Sequence, residues 1–128
     1  MKRKKGWLAL LLPLAAVVAC DQVSEPDPVL CTAIAVSSLN VTVRDAATAQ
    51  RVCDAAVTAV LAGTTYELRR AGSAEACTYA GPEERAGAFE VRVSRAGYAP
   101  AVVSNVQVTA DVCHVIPVSL TVDLRRSS

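Results

Sequence analysis

From Ser38 onward, apolar and polar residues alternate with a period of two, the pattern of strands that bury one face. Leu39, Val41 and Val43 fall on one side, and Asn40, Thr42 and Arg44 on the other. Asp45-Ala46-Ala47-Thr48-Ala49 reads as a polar turn, after which Ala55, Val57 and Ala59 resume the inward pattern in a strand ending near Gly63. Tyr66 and Leu68 suggest a short third strand before a loop around Gly72. Gly81 to Gly87, with Pro82, Glu83, Glu84 and Arg85 between, is rich in residues that interrupt strands and reads as a turn. The clearest alternation follows: Phe89, Val91 and Val93 inward, Glu90, Arg92 and Ser94 outward. Beyond the turn Gly97-Tyr98-Ala99-Pro100, Val102 and Val103, then Val106 and Val108, suggest two short strands or one bent strand. Val118, Leu120, Val122 and Leu124 form the last strand, and residues 125–128 are a short polar tail. No segment of this stretch has a 3.6-residue period of useful length. About seven short strands separated by turns predict an all-β chain folded as a seven-stranded antiparallel sandwich.

The beginning of the chain follows a different pattern. Lys2, Arg3, Lys4 and Lys5 precede an apolar stretch from Trp7 to Ala19, interrupted by Pro13. A membrane span needs roughly 20 apolar residues, so this stretch has the length of an export-signal core. The junction Val17-Val18-Ala19-Cys20 resembles the bacterial lipobox, with an aliphatic residue three before the cysteine and a small residue just before it. Val17 stands where Leu is commonest. The resemblance implies cleavage between Ala19 and Cys20, diacylglycerol on the Cys20 thiol, and further acylation of the new amine, palmitate being a typical chain. Residues 1–19 are then a lipoprotein signal peptide. Residues 20–37 are a lipidated N-terminus and tether, in which Ser24, Glu25, Pro26, Asp27 and Pro28 favour extended, solvated chain. Asp21 resembles an inner-membrane retention signal of enteric bacteria, a rule that does not transfer to all bacteria, so the expected location is the bacterial cell envelope with inner or outer membrane open.

Removal of the signal changes the charge balance. The whole chain carries 13 Lys and Arg against 12 Asp and Glu, a formal net charge of +1. Without residues 1–19 it keeps nine Arg, no Lys and all 12 acidic residues, a formal charge of −3. Nucleic-acid binding rests on clustered basic residues, so a mildly acidic domain argues against it.

Four cysteines follow Cys20, namely Cys31, Cys53, Cys77 and Cys113. An even count in an exported chain reads as two disulfides. Of the three possible pairings, Cys53–Cys77 and Cys31–Cys113 are favoured. The first pins the irregular loop before the Gly81 turn, and the second ties the start of the first strand to the start of the last. No two cysteines have the close spacing of structural zinc sites, and Cys113 and His114 would point to opposite faces of a strand, so no metal is expected. His114 is the only histidine, so any hydroxyl–imidazole or thiol–imidazole mechanism must use it. It reads as a surface or edge histidine beside a cystine. Glu83 and Glu84 read as solvated turn residues rather than an acid pair. No nucleotide-binding glycine loop is present, and no catalytic residue or cofactor is assigned.

One further resemblance rests on specific residues. Leu39-Asn40-Val41-Thr42-Val43-Arg44-Asp45, then Cys53-Asp54-Ala55-Ala56-Val57, resembles the opening of carboxypeptidase regulatory-like domains. Ala86-Gly87-Ala88-Phe89-Glu90-Val91-Arg92-Val93, followed by Ala96-Gly97-Tyr98, is similar to that family's glycine turn, strand and Gly-Tyr hairpin end. The likeness spans residues 38–124 and implies a transthyretin-like Greek-key sandwich. In the family a glycine usually completes the first turn; here Ala47-Thr48-Ala49-Gln50 stands in its place. Such domains are mostly non-catalytic appendages, adhesive modules or carriers. The expected function is therefore that of a non-enzymatic, lipid-anchored module that binds a protein or glycan partner or serves structurally, its oligomeric state open. The alternatives are a carrier of a small apolar ligand, suggested by the many Ala and Val residues, and a hydrolase using His114.

Overall fold

Two four-stranded sheets share one apolar core in the computed structural model, which describes Ala16 and residues 27–128. The signal segment (Ala16 apart), Ala19, Cys20 and the tether as far as Pro26 lie outside the described residues. Eight strands are present among the described residues: β1 (Ser37–Asp45), β2 (Ala56–Leu61), β3 (Thr64–Glu67), β4 (Arg69–Ala71), β5 (Thr78–Glu83), β6 (Gly87–Ser94), β7 (Ala101–Val108) and β8 (Val118–Leu124). One sheet has the order β4-β5-β1-β8 and the other β3-β2-β6-β7. The described residues are all-β and cystine-linked, as the alternation and cysteine count predict.

Alternation produces the core directly. Leu39, Val41 and Val43 of β1, Tyr79 of β5 and Val122 and Leu124 of β8 are buried in one sheet. Val57 and Ala59 of β2, Phe89, Val91 and Val93 of β6, and Val106 and Val108 of β7 are buried in the other. Each fully buried Val, Leu or Phe contributes about 1.5–3 kcal/mol relative to exposure. Polar groups inside are paired. Tyr79 donates its hydroxyl hydrogen to the Val52 carbonyl (3.2 Å) and accepts from the Ala55 amide (3.0 Å), while Ser38 donates to the Arg85 carbonyl (2.6 Å) and accepts from the Arg85 amide (2.9 Å).

Three details depart from the pattern-based expectation, and a fourth decides between two readings it left open, in favour of one bent strand after Pro100. There are eight strands rather than seven, because the region read as loop and Gly81 turn contains both β4 and β5. Gly81, Pro82 and Glu83 belong to β5, and the reversal is confined to residues 84–86. Pro82 is tolerated because β4 pairs no further along β5 than Ala80, so no ladder bond is lost on that side. The pairing of β1 with β8 is parallel, from Leu39↔Val118 to Asp45↔Leu124, so the sandwich is not wholly antiparallel. β7 is one strand bent by a bulge: Phe89 faces Val106 but Val91 faces Val103, and the extra residue, around Asn105 (φ 57°), switches inward parity from Val103 to Val106.

These strands fix two ends of the sandwich. The near end carries the start of β1, the 84–86 reversal and the segment between β7 and β8. The far end carries the turn after Asp45, the Gly97-Tyr98 turn and the tail at Arg126. A cystine sits at each: Cys31–Cys113 near, Cys53–Cys77 far, joining the residues favoured from the sequence. The domain's hold on the chain starts at Cys31, ahead of Ser38.

Candidate functional site

At the far end, Asp45 is 2% exposed, and both of its carboxylate oxygens are occupied. Oδ1 accepts from the amides of Ala47 (2.8 Å) and Thr48 (3.0 Å), closing the turn after β1. Oδ2 accepts from the Tyr98 hydroxyl (2.7 Å) and from Nε of Arg126 (2.9 Å). The Tyr98 and Arg126 bonds hold the Asp45 carboxyl well below the usual carboxylate range against the opposing effect of burial. Beside it, Arg95 Nε donates to Asp54 Oδ1 (2.6 Å), and the Arg95 guanidinium lies 5.4 Å from the centre of the Tyr98 ring. A shallow depression of about 320 Å³ opens here, but its Arg95 and Arg126 are already bound to carboxylates, and Arg51 donates to the Ala76 carbonyl.

At the near end, three side chains far apart in sequence meet. Thr32 Oγ1 lies 2.9 Å from Nε2 of His114, and Nδ1 of His114 lies 2.6 Å from Oε1 of Glu84. An ionised carboxylate only accepts, so Nδ1 carries a proton and, in a neutral ring, Nε2 accepts from the Thr32 hydroxyl. Glu84 also receives the amides of Val36 at Oε1 (2.9 Å) and Val115 at Oε2 (3.1 Å). Burial raises its pKa, but the bonds from His114, Val36 and Val115 outweigh this and leave it below the ordinary value. Asp111 accepts from the amides of Cys113 and His114 (both 2.8 Å), shaping the bend that carries the imidazole; these bonds lower its pKa too.

Hydroxyl, imidazole and carboxylate are thus connected in the order used for acyl transfer. The surrounding depression, about 350 Å³, is otherwise lined by Ala33, Ile34, Ala35 and Cys113, which bring no side-chain donor for a developing oxyanion. The Cys31–Cys113 cystine holds the arrangement together, since Thr32 and His114 are the residues next along the chain from its two halves.

This geometry corrects two readings of the sequence. Glu84 is a half-buried clamp joining three segments, whereas Glu83 remains an exposed strand end. His114 precedes β8 in a bend, so the strand argument that set it opposite Cys113 does not apply. Among the described residues no group of three or more His, Cys, Asp or Glu is placed to hold a metal, and no helix is long and apolar enough to cross a membrane. No protein-family model matches the chain, and no curated protein is significantly similar to it.

Proposed function

We propose that this chain is a non-enzymatic, lipid-anchored protein of the bacterial envelope, whose carboxypeptidase regulatory-like, transthyretin-type sandwich is a binding or structural module for a protein or glycan partner. The observation that carries the reading is the use of the two most engaged carboxylates. Asp45 and Glu84 are each committed to holding loops to the sandwich, one at either end, with a cystine beside each. Such a scaffold suits a module that must persist outside the cytoplasm. The lipobox-like Val17-Val18-Ala19-Cys20 supplies the anchor. The inward Val and Ala side chains that suggested an apolar-ligand carrier are packed in the core, which favours the module over the carrier.

The test is the intact mass of protein extracted from native membranes, compared with a Cys20→Ser variant. A mature chain beginning at Cys20, heavier by acyl chains and absent from the variant, supports the anchor; in-cell cross-linking then recovers the partner. An unacylated chain starting elsewhere overturns it.

A second reading, a hydrolase, has the Thr32–His114–Glu84 connectivity in its favour. A serine-hydrolase-directed phosphonate probe decides it. Labelling of Thr32 that is lost in His114→Ala would replace the non-enzymatic reading; no labelling leaves the trio as a structural tie.

A further inference from the structure

Exposed large apolar residues are not scattered over this domain. Of six among the described residues, five flank the Cys31–Cys113 cystine in sequence: Val29 (61% exposed), Leu30 (92%), Ile34 (72%), Val112 (78%) and Ile116 (51%). They come from the segment ahead of β1 and the loop ahead of β8. The cystine and the Thr32–His114 bond hold these segments together at the near end. Single exposed apolar residues are ordinary, but a cluster of them marks a contact surface.

We infer that this apolar rim rests on the lipid bilayer to which the chain is anchored. The inference relies on the lipid anchor proposed above. Reach is the first argument. Leu30 lies ten residue steps beyond Cys20, so the rim lies within roughly 35 Å of the lipidated cysteine even with the intervening chain fully extended. The far end is further away by the length of β1, whose nine residues span about 30 Å. Effective concentration is the second. A short tether holds rim and bilayer together at an effective concentration on the order of millimolar, an advantage that no free partner has. Charge is the third. Neither residues 27–36 nor residues 109–117 contain Lys or Arg, and Arg85 is the one basic residue of the 84–86 reversal at this end, so the contact is mainly apolar and selects anionic headgroups little. Leu30, Ile34 and Val112 enter the interface, the sandwich stands on its near end, and the Asp45–Tyr98 end faces away from the membrane.

The chain's one tryptophan, Trp7, lies in the signal segment, so the mature protein offers a dark background for a fluorescent probe. Val112→Trp and, separately, Ile116→Trp place a single indole on the rim; Ala47→Trp places one in the exposed turn at the far end. Each lipidated full-length protein is reconstituted into phosphatidylcholine vesicles with or without brominated acyl chains, and its acylation and flotation with the vesicles are checked. The expected result is a blue-shifted rim signal quenched about twofold or more by brominated lipid, as for indoles at a membrane interface. It should be nearly equal in neutral and anionic vesicles, with the Ala47→Trp signal unchanged. Acylated, floating protein whose two rim probes behave like the Ala47 probe overturns the inference while leaving the anchor intact. A blue shift that depends on protein density and not on brominated lipid assigns the rim to a second copy and overturns it too. Protein without acyl chains that fails to float removes the anchor reading and this inference with it.

Discussion

The phenol of Tyr98 donates to Oδ2 of Asp45 over 2.7 Å, linking the β6–β7 connection to the end of β1 across 53 residues of sequence. Arg126 shares the same oxygen, so one carboxylate gathers the first strand, the hairpin and the tail. Tyr98→Phe removes only the donor and leaves the ring in place. Hydrogen bonds to charged groups contribute about 1.5–3 kcal/mol, and a loss of that size in urea unfolding is expected.

Acid should weaken the fold in a defined direction. Asp45, Asp54, Glu84 and Asp111 all have folded pKa values below their ordinary ones. Each therefore adds stability that is fully present above the unfolded carboxylate pKa and lost as pH falls toward the folded value. The urea midpoint should be level near neutrality and decline below about pH 5. Asp45→Asn should lower stability at pH 7 and flatten the decline, because one acid-linked proton uptake is gone.

Ala49 occupies φ 60°, the left-handed region that favours glycine, in the turn after β1. A side chain there costs about 1–2 kcal/mol, partly offset by glycine's greater freedom in the unfolded chain. Ala49→Gly should therefore stabilise the domain by up to about 1 kcal/mol, seen as a higher melting temperature. Both hydrogen bonds that Asp45 Oδ1 makes to this turn involve backbone amides of other residues and survive the change.

The two cystines should differ in weight. Cys31–Cys113 spans 82 residues and Cys53–Cys77 spans 24. Loop-closure entropy gives about 4.5 and 3.4 kcal/mol respectively. The Cys31→Ala/Cys113→Ala pair should cost more in urea unfolding than Cys53→Ala/Cys77→Ala. It should also release Thr32 and His114, visible as a change in the His114 ring signals by nuclear magnetic resonance.

Glu84 has φ 52°, again the left-handed region, yet its carboxylate holds His114, Val36 and Val115. Glu84→Gln should lose about 1–3 kcal/mol, because one of two accepting oxygens in this half-buried clamp becomes an amide nitrogen that cannot accept. Thermal denaturation of the variant at neutral pH checks it.

What the sequence reveals depends on how local the cause is. β1 and β6 are legible because Leu39, Val41 and Val43, and Phe89, Val91 and Val93, alternate without interruption and face the core. β5 is hidden because Gly81 and Pro82 carry turn signals, while its strand state comes from pairing with β1 and β4, a tertiary cause. Strand direction leaves no trace in period-two alternation, so the parallel β1–β8 pair could not be read from it. The Thr32–His114–Glu84 meeting is non-local too. One signal for it does exist: if Cys31 joins Cys113, the residues after each, Thr32 and His114, must lie close together.

The parallel β1–β8 pair, with a cystine ahead of it, has a mechanical consequence. A pull on the N-terminal segment reaches Cys31 and divides there, one branch running into β1 and the other through Cys113 toward β8. Both strands are then loaded from the same end and in the same direction, so tension does not slide one past the other. The bond ladder from Leu39↔Val118 to Asp45↔Leu124 is shielded from shear, and the domain can be tugged from its N-terminal side without unzipping its first strand from its last.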